Sequence, residues 1–158
     1  MNEDSGVYYL DTSALLPYYR EDKTSLAIQN FLSSLRVPVG ISDLTGLEFA
    51  SVLSRWIRMK EITEAQAGLV ENAFAEDIRS GLFRRLSITT KHYRQAQKWI
   101  SSRKTALRTL DALHLACCFG AGINMVTCDE VLANSADVLG MPCRFVTDGK
   151  IKWAKDDM

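Results

Sequence analysis

Val7-Tyr8-Tyr9-Leu10-Asp11-Thr12-Ser13 is a short apolar run that stops abruptly at a carboxylate and two hydroxyls. The run reads as a buried strand, which places Asp11 at its carboxyl end. A second stretch, Ile123-Asn124-Met125-Val126-Thr127-Cys128-Asp129, repeats the pattern. In open α/β sheets ligands bind outside the carboxyl ends of the strands, so these two acids face one crevice if the strands are parallel neighbours. Glu48 and Asp111 complete a set of four acids at predicted strand ends or on helices beginning near them. Carboxylates about 4 Å apart repel by roughly 1 kcal/mol in water and about 4 kcal/mol at an effective dielectric of 20, so crowding them calls for a cation or a raised pKa.

The rest of the chain bounds the answer. Its 158 residues, 47% hydrophobic and 24% charged, fit one ordinary globular domain. A domain of that size buries roughly 68–70% of its unfolded surface, so it folds without disulfides or a structural metal. Of the four cysteines, Cys117 and Cys118 are adjacent, Cys128 and Cys143 stand apart, and no C-x-x-C pair occurs; buried reduced thiols are expected. Met1-Asn2-Glu3-Asp4 lacks the basic and apolar regions of a secretory signal, and the longest apolar stretch, Leu110 to Val126, contains Asp111, His114 and Asn124. A cytoplasmic protein with no membrane span is the expectation. Net charge is zero, yet Arg84, Arg85, Lys91, Arg94, Lys98, Arg103, Lys104 and Arg108 form a block with no acid among them. Such a block can follow a phosphate backbone, although a solvated helix face is the competing reading.

Hydrophobic periodicity alternates strands with helices, the pattern of a largely parallel sheet covered by helices. Strands are predicted at Val7–Leu10, Pro38–Ile41, Leu82–Ile88, Met125–Cys128 and Cys143–Thr147, with Asp148-Gly149 as a turn before Ile151-Lys152-Trp153. Helices are predicted at Ser13–Tyr19, Thr24–Leu35, Leu44–Met59, Glu64–Ser80, from Thr89 or Thr90 through Ile100, at Leu110–Phe119 and at Glu130–Leu139. Ser42 or Asp43, Thr63 and Thr109 are the expected caps of three of them. On the third helix Gly46, Phe49, Ala50, Leu53, Trp56 and Ile57 make the apolar stripe, with Glu48 away from its centre. Val70, Phe74 and Ile78 make another, facing either the domain core or a second subunit. One domain spans 1–158, with fraying expected at about 1–5 and 154–158.

Leu10-Asp11-Thr12-Ser13-Ala14-Leu15, Glu48 on a helix, Arg108-Thr109-Leu110-Asp111-Ala112-Leu113-His114-Leu115-Ala116 and Thr127-Cys128-Asp129, in that order, resemble the PIN-domain nucleases, and most of all the VapC toxins of toxin–antitoxin pairs. The resemblance implies a three-layer α/β/α domain with a central, mainly parallel sheet of four or five strands. It implies that Asp11, Glu48, Asp111 and Asp129 surround one or two Mg²⁺ or Mn²⁺ ions, which favour hard oxygen ligands. Thr12, Ser13 and Thr127 would orient carboxylates or waters. The implied reaction is hydrolysis of RNA by water, leaving a 5′-phosphate and a 3′-hydroxyl, with Arg94, Lys98 and Arg108 as candidate RNA contacts. The implied partners are a separately encoded antitoxin, which inserts a side chain, often arginine, into the acidic cleft, and a second copy of the chain in a homodimer.

His114 is tempting as a general base, but its place on an apolar helix suggests a core role; His92 reads as an ordinary surface residue. A haloacid-dehalogenase-like phosphatase would need an acid where Ser13 stands, and a receiver domain an acidic pair and a lysine with no convincing match. The alternative from another class is a catalytically silent PIN-like module that binds RNA or protein.

Overall fold

The computed structural model describes residues 4–157. Among these residues six strands form one sheet in the order β3-β2-β1-β4-β5-β6: β1 (Tyr8–Leu10), β2 (Val39–Ser42), β3 (Phe83–Leu86), β4 (Asn124–Thr127), β5 (Cys143–Thr147) and β6 (Lys150–Trp153). The first five are mutually parallel, as short apolar runs separated by helices require. The sheet has one strand more than the upper expectation of five. The reason is local: Asp148 and Gly149 form a two-residue loop that returns the chain antiparallel along β5, pairing Thr147 with Lys150. Gly149 has φ 70°, a conformation costly for a residue with a Cβ.

Among the described residues seven helices pack on the sheet: α1 (Thr12–Tyr19), α2 (Ser25–Ser34), α3 (Asp43–Arg58), α4 (Glu64–Arg79), α5 (Thr90–Ser101), α6 (Thr109–Cys118) and α7 (Glu130–Val138). Alternation along β1 divides the core between two faces. Tyr9 joins Met125, Trp99, Leu115 and Leu132 in one cluster, whereas Tyr8 and Leu10 join Val126, Ile28, Phe49 and Phe74 in the other. Three layers result, as expected. Cys117, Cys118 and Cys143 are buried free thiols, and Cys128 is half-buried. Among the described residues no helix is long and apolar enough to cross a membrane.

Local signals explain most element ends. Thr63 and Gln66 form the expected capping box, with Thr63 Oγ1 accepting from Gln66 N at 3.1 Å and Gln66 Oε1 accepting from Thr63 N at 2.9 Å. At the start of α3, Thr45 Oγ1 accepts from the backbone N–H of Ser42 (3.1 Å). At α6 the cap is Arg108, not Thr109, which is already helical. His92 is more than a surface residue: its Nδ1 accepts from Thr89 N (2.9 Å) and closes the first turn of α5. Where fraying was expected at 154–158, Ala154–Asp157 form a 3-10 turn with Ala154 buried; residues 1–3 and 158 lie outside the described residues.

The α3 stripe is rotated from its expected centre. Thr45, Phe49 and Leu53 are buried, while Ala50 is exposed and Gly46 faces open space. This rotation brings Glu48 to the margin of the packed face. The α4 stripe faces the domain itself: Phe74 is buried, packs against the tilted ring of Phe49 at 4.4 Å between centroids, and meets Phe83 and Tyr19 edge-on at 5.9 and 5.5 Å. Truncating such a ring removes both its burial and its neighbours' contacts. Phe74→Ala is expected to lower the unfolding free energy by about 3–5 kcal/mol in urea titration, and a loss below about 1 kcal/mol would show that α4 does not anchor this layer.

Candidate active site

Pairing of β1 with β4 sets Leu10 opposite Val126, so their carboxyl ends lie side by side. Strand order reverses at this point: β1 leads outward through β2 and β3, β4 through β5 and β6. Such a reversal opens a crevice where open α/β sheets bind ligands. Asp11 follows β1 immediately, and Asp129 stands two residues beyond β4.

Asp11 is 3% exposed and heavily hydrogen-bonded. Its backbone N–H donates to Val126 O (3.2 Å), extending the strand pairing as far as the acid. Its carboxylate accepts from Ser13 Oγ (2.8 and 2.9 Å to its two oxygens), Thr127 Oγ1 (2.8 Å) and Ala14 N (3.1 Å). The same two hydroxyls accept from the backbone of the other strand end, Ser13 Oγ from Cys128 N and Thr127 Oγ1 from Asp129 N, each at 3.0 Å. Ser13 and Thr127 thus tie the two strand ends together around one carboxylate.

The remaining acids join this network by two routes. Asp129 Oδ1 caps α7, accepting from Val131 N (2.9 Å) and Leu132 N (3.2 Å). Its Oδ2 accepts from Arg108 Nη2 (3.2 Å), while Arg108 Nε donates to Asp111 Oδ2 (3.2 Å) in the first turn of α6. Arg108 therefore bridges two acids. Glu48 Oε1 accepts from Thr12 Oγ1 (2.8 Å) and from His114 Nε2. His114 is 1% exposed, and its Nδ1 lies 2.7 Å from the hydroxyl of Tyr9, itself 2.8 Å from Ser42 Oγ.

Electrostatics reflects how far each group is withdrawn from water. Burial pushes the Asp11 carboxyl up from 3.8 to about 6, opposed by nearby His114, the Thr127 and Ser13 hydroxyls and the Ala14 N–H. Asp111 is also raised, first by burial and further by Asp129, with Arg108 and His114 pulling it down. For Glu48 burial raises the pKa, but the hydrogen bond and charge of His114 and the Thr12 hydroxyl outweigh it and hold the carboxyl below its ordinary value. His114 thus lies within electrostatic reach of Asp11, Glu48 and Asp111. The amino ends of α1, α6 and α7 also turn toward the acids and favour negative charge there.

Among the described residues no three His, Cys, Asp or Glu groups stand close enough together to hold a metal ion. The chain's own donors engage these oxygens instead, and the Arg108 guanidinium lies between Asp111 and Asp129 as a cation would. The chemistry of the donor set still fits a hard divalent ion, because all four groups offer carboxylate oxygen. Asp11, Glu48, Asp111 and Asp129 are the residues that would hold it. Arg94 and Lys98 sit elsewhere, exposed on α5 beside Lys91, with no ion pair to the four acids. Tyr9, Ser42 and Thr45 are site components that sequence reasoning missed; the available signal was a tyrosine inside an apolar strand, whose hydroxyl needs a partner when buried.

Residues 8–138 match the family model described as PIN domain. Solved structures share the fold at low identity. VapBC2 from Rickettsia felis, bound to a DNA fragment from their promoter, aligns at 11% identity over 89% of this chain and 99% of that one, with TM-score 0.61. The Mycobacterium tuberculosis VapC20 toxin, described as cleaving the sarcin–ricin loop, aligns at 17% identity over 81% and 94%, with TM-score 0.61. FitAcB from Neisseria gonorrhoeae aligns at 16% identity over 83% and 94%, with TM-score 0.62. No curated protein matches the sequence.

The Asp11 shift has a definite sign. A carboxyl whose pKa rises on folding favours the folded state below about pH 4, and that contribution is lost as pH climbs toward 6, where the buried charge costs about 3 kcal/mol. Asp11→Asn is therefore expected to stabilise the ion-free protein above about pH 6.5, with the gain shrinking toward pH 4. Urea unfolding in chelator across that range measures it; a gain independent of pH would contradict the burial of an ionisable carboxylate.

Proposed function

The chain belongs to the PIN-domain family, and on that premise we propose that it is a divalent-metal-dependent endoribonuclease, the toxin of a toxin–antitoxin pair. The observation that carries the reading is the joining of Asp11, Asp129 and Asp111 through Thr127 and Arg108 at the strand-order reversal. Such a concentration of carboxylates is costly for a binding module and useful for holding a cation. Asp11, Asp111, Asp129 and Glu48 would hold Mg²⁺ or Mn²⁺, which when bound lowers the pKa of a water and neutralises charge on the attacking and leaving oxygens of the phosphodiester.

The chain's own groups supply orientation. Ser13 and Thr127 fix the Asp11 carboxylate, Thr12 and His114 fix Glu48, and the N–H groups of α7 fix Asp129. Were a cation to take its place between Asp111 and Asp129, Arg108 would be available to hold a substrate phosphate. Water as nucleophile leaves a 5′-phosphate and a 3′-hydroxyl. Arg94 and Lys98 would extend the contact along RNA, and the VapC-like fold favours a separately encoded antitoxin and a homodimer.

The silent binding module is the second reading, favoured by the absence, among the described residues, of three groups within reach of one ion. Adding Mn²⁺ to purified protein and RNA separates the two. Cleavage that chelator stops is expected, and Asp111→Asn should abolish it while leaving the fold intact; wild-type turnover in that variant would defeat the assignment. Neutralising Arg94 and Lys98 together is expected to weaken RNA binding and flatten its salt dependence, whereas an unchanged salt slope would remove them from the binding surface.

A further inference from the structure

Glu48 is held asymmetrically. Both of its protein donors, Thr12 Oγ1 and His114 Nε2, converge on Oε1, and among the described residues Oε2 receives no hydrogen bond. The imidazole is held in turn: its Nδ1 contacts Tyr9 Oη at 2.7 Å, and Tyr9 Oη contacts Ser42 Oγ at 2.8 Å and Thr45 Oγ1 at 3.4 Å. This chain of polar groups runs through the core. Every α6 side chain from Ala112 to Cys118 is buried, and all but His114 is apolar or a thiol. Burying an imidazole and a phenol there costs desolvation that a leucine and a phenylalanine would avoid. Fully connected, such a network rigidifies what it holds. Its one solvent-facing end is the Glu48 carboxylate, whose side chain is 24% exposed.

We propose that His114, locked by Tyr9, is a positioning residue that engages Oε1 of Glu48 and leaves Oε2 as the single oxygen Glu48 offers to a divalent ion, or to a water beside it, in the cleft. Glu48 then contributes through one oxygen, unlike a freely rotating glutamate that could chelate through two. Nε2 meets a carboxylate oxygen that also accepts from Thr12, while Nδ1 faces Tyr9. The proposal rests on the nuclease reading above, but its geometry can be tested separately.

The test measures Mn²⁺ affinity by titration calorimetry without RNA, alongside RNA cleavage, for wild type, His114→Leu and His114→Gln. Leucine removes the donor and fills the core; glutamine keeps an amide donor near the Nε2 position. The expected result is a loss of about 10- to 100-fold in Mn²⁺ affinity for His114→Leu at undiminished melting temperature, largely recovered by His114→Gln. Should His114→Leu fail to fold, Tyr9→Phe and Thr12→Val carry the same test, each expected to weaken Mn²⁺ binding. In the ion-free protein, Tyr9→Phe should shift the His114 Nδ1 resonance and Glu48→Gln the Nε2 resonance. Wild-type Mn²⁺ affinity in His114→Leu, or equal losses in the leucine and glutamine variants, would overturn the proposal and leave the nuclease reading standing. Mn²⁺ binding by wild type without RNA cleavage would defeat the nuclease reading while the His114 comparison still decides this one, and no Mn²⁺ binding by wild type would overturn both.

Discussion

The parallel pairing of β1 with β4 is the constraint on which the site depends. It carries Asp11 and the Thr127–Asp129 segment to the same edge of the sheet, and Ser13 and Thr127 then lace the two strand ends together. Concentrated negative charge would otherwise loosen that edge. Hydroxyl donors, three helix amino ends and the Arg108 guanidinium offset the repulsion, each supplied by an element that the strand pairing itself brings into place. The core and the site are therefore one construction: Tyr9 contributes its ring to a hydrophobic cluster and its hydroxyl to the network behind Glu48.

Arg108 connects the resting electrostatics with function. Its guanidinium is largely exposed and reaches Asp111 and Asp129 at 3.2 Å, a weakly held counter-charge in water. A small, doubly charged ion competes well for the same oxygens. On the proposed reading the exchange would release the guanidinium, so one side chain that balances the acids before a cation arrives would be free to meet substrate afterwards.

Much of this was legible in the sequence because it rests on local chemistry. Apolar runs ending at acids located β1 and β4, the Thr63–Gln66 box located α4, and the four acids with their neighbouring hydroxyls carried the family resemblance. Other features depend on contacts that spacing does not encode. The sixth strand needed Asp148-Gly149 to form a two-residue hairpin loop, and the rotation of α3 depended on which side chains the neighbouring helices accept. The Tyr9–His114–Glu48 chain joins residues up to 105 positions apart, so no local pattern announces it. His114 was rightly placed in the core, yet its second nitrogen reaches the site.

Anomalous diffraction from crystals equilibrated with Mn²⁺ tests most directly whether these acids form one cation-binding cleft. The account predicts a manganese peak within coordination distance of Asp11 and Asp111, with the Arg108 guanidinium displaced from between Asp111 and Asp129. Full lattice access to Mn²⁺ with no peak in this cleft, or Arg108 still seated between the two acids, would contradict it.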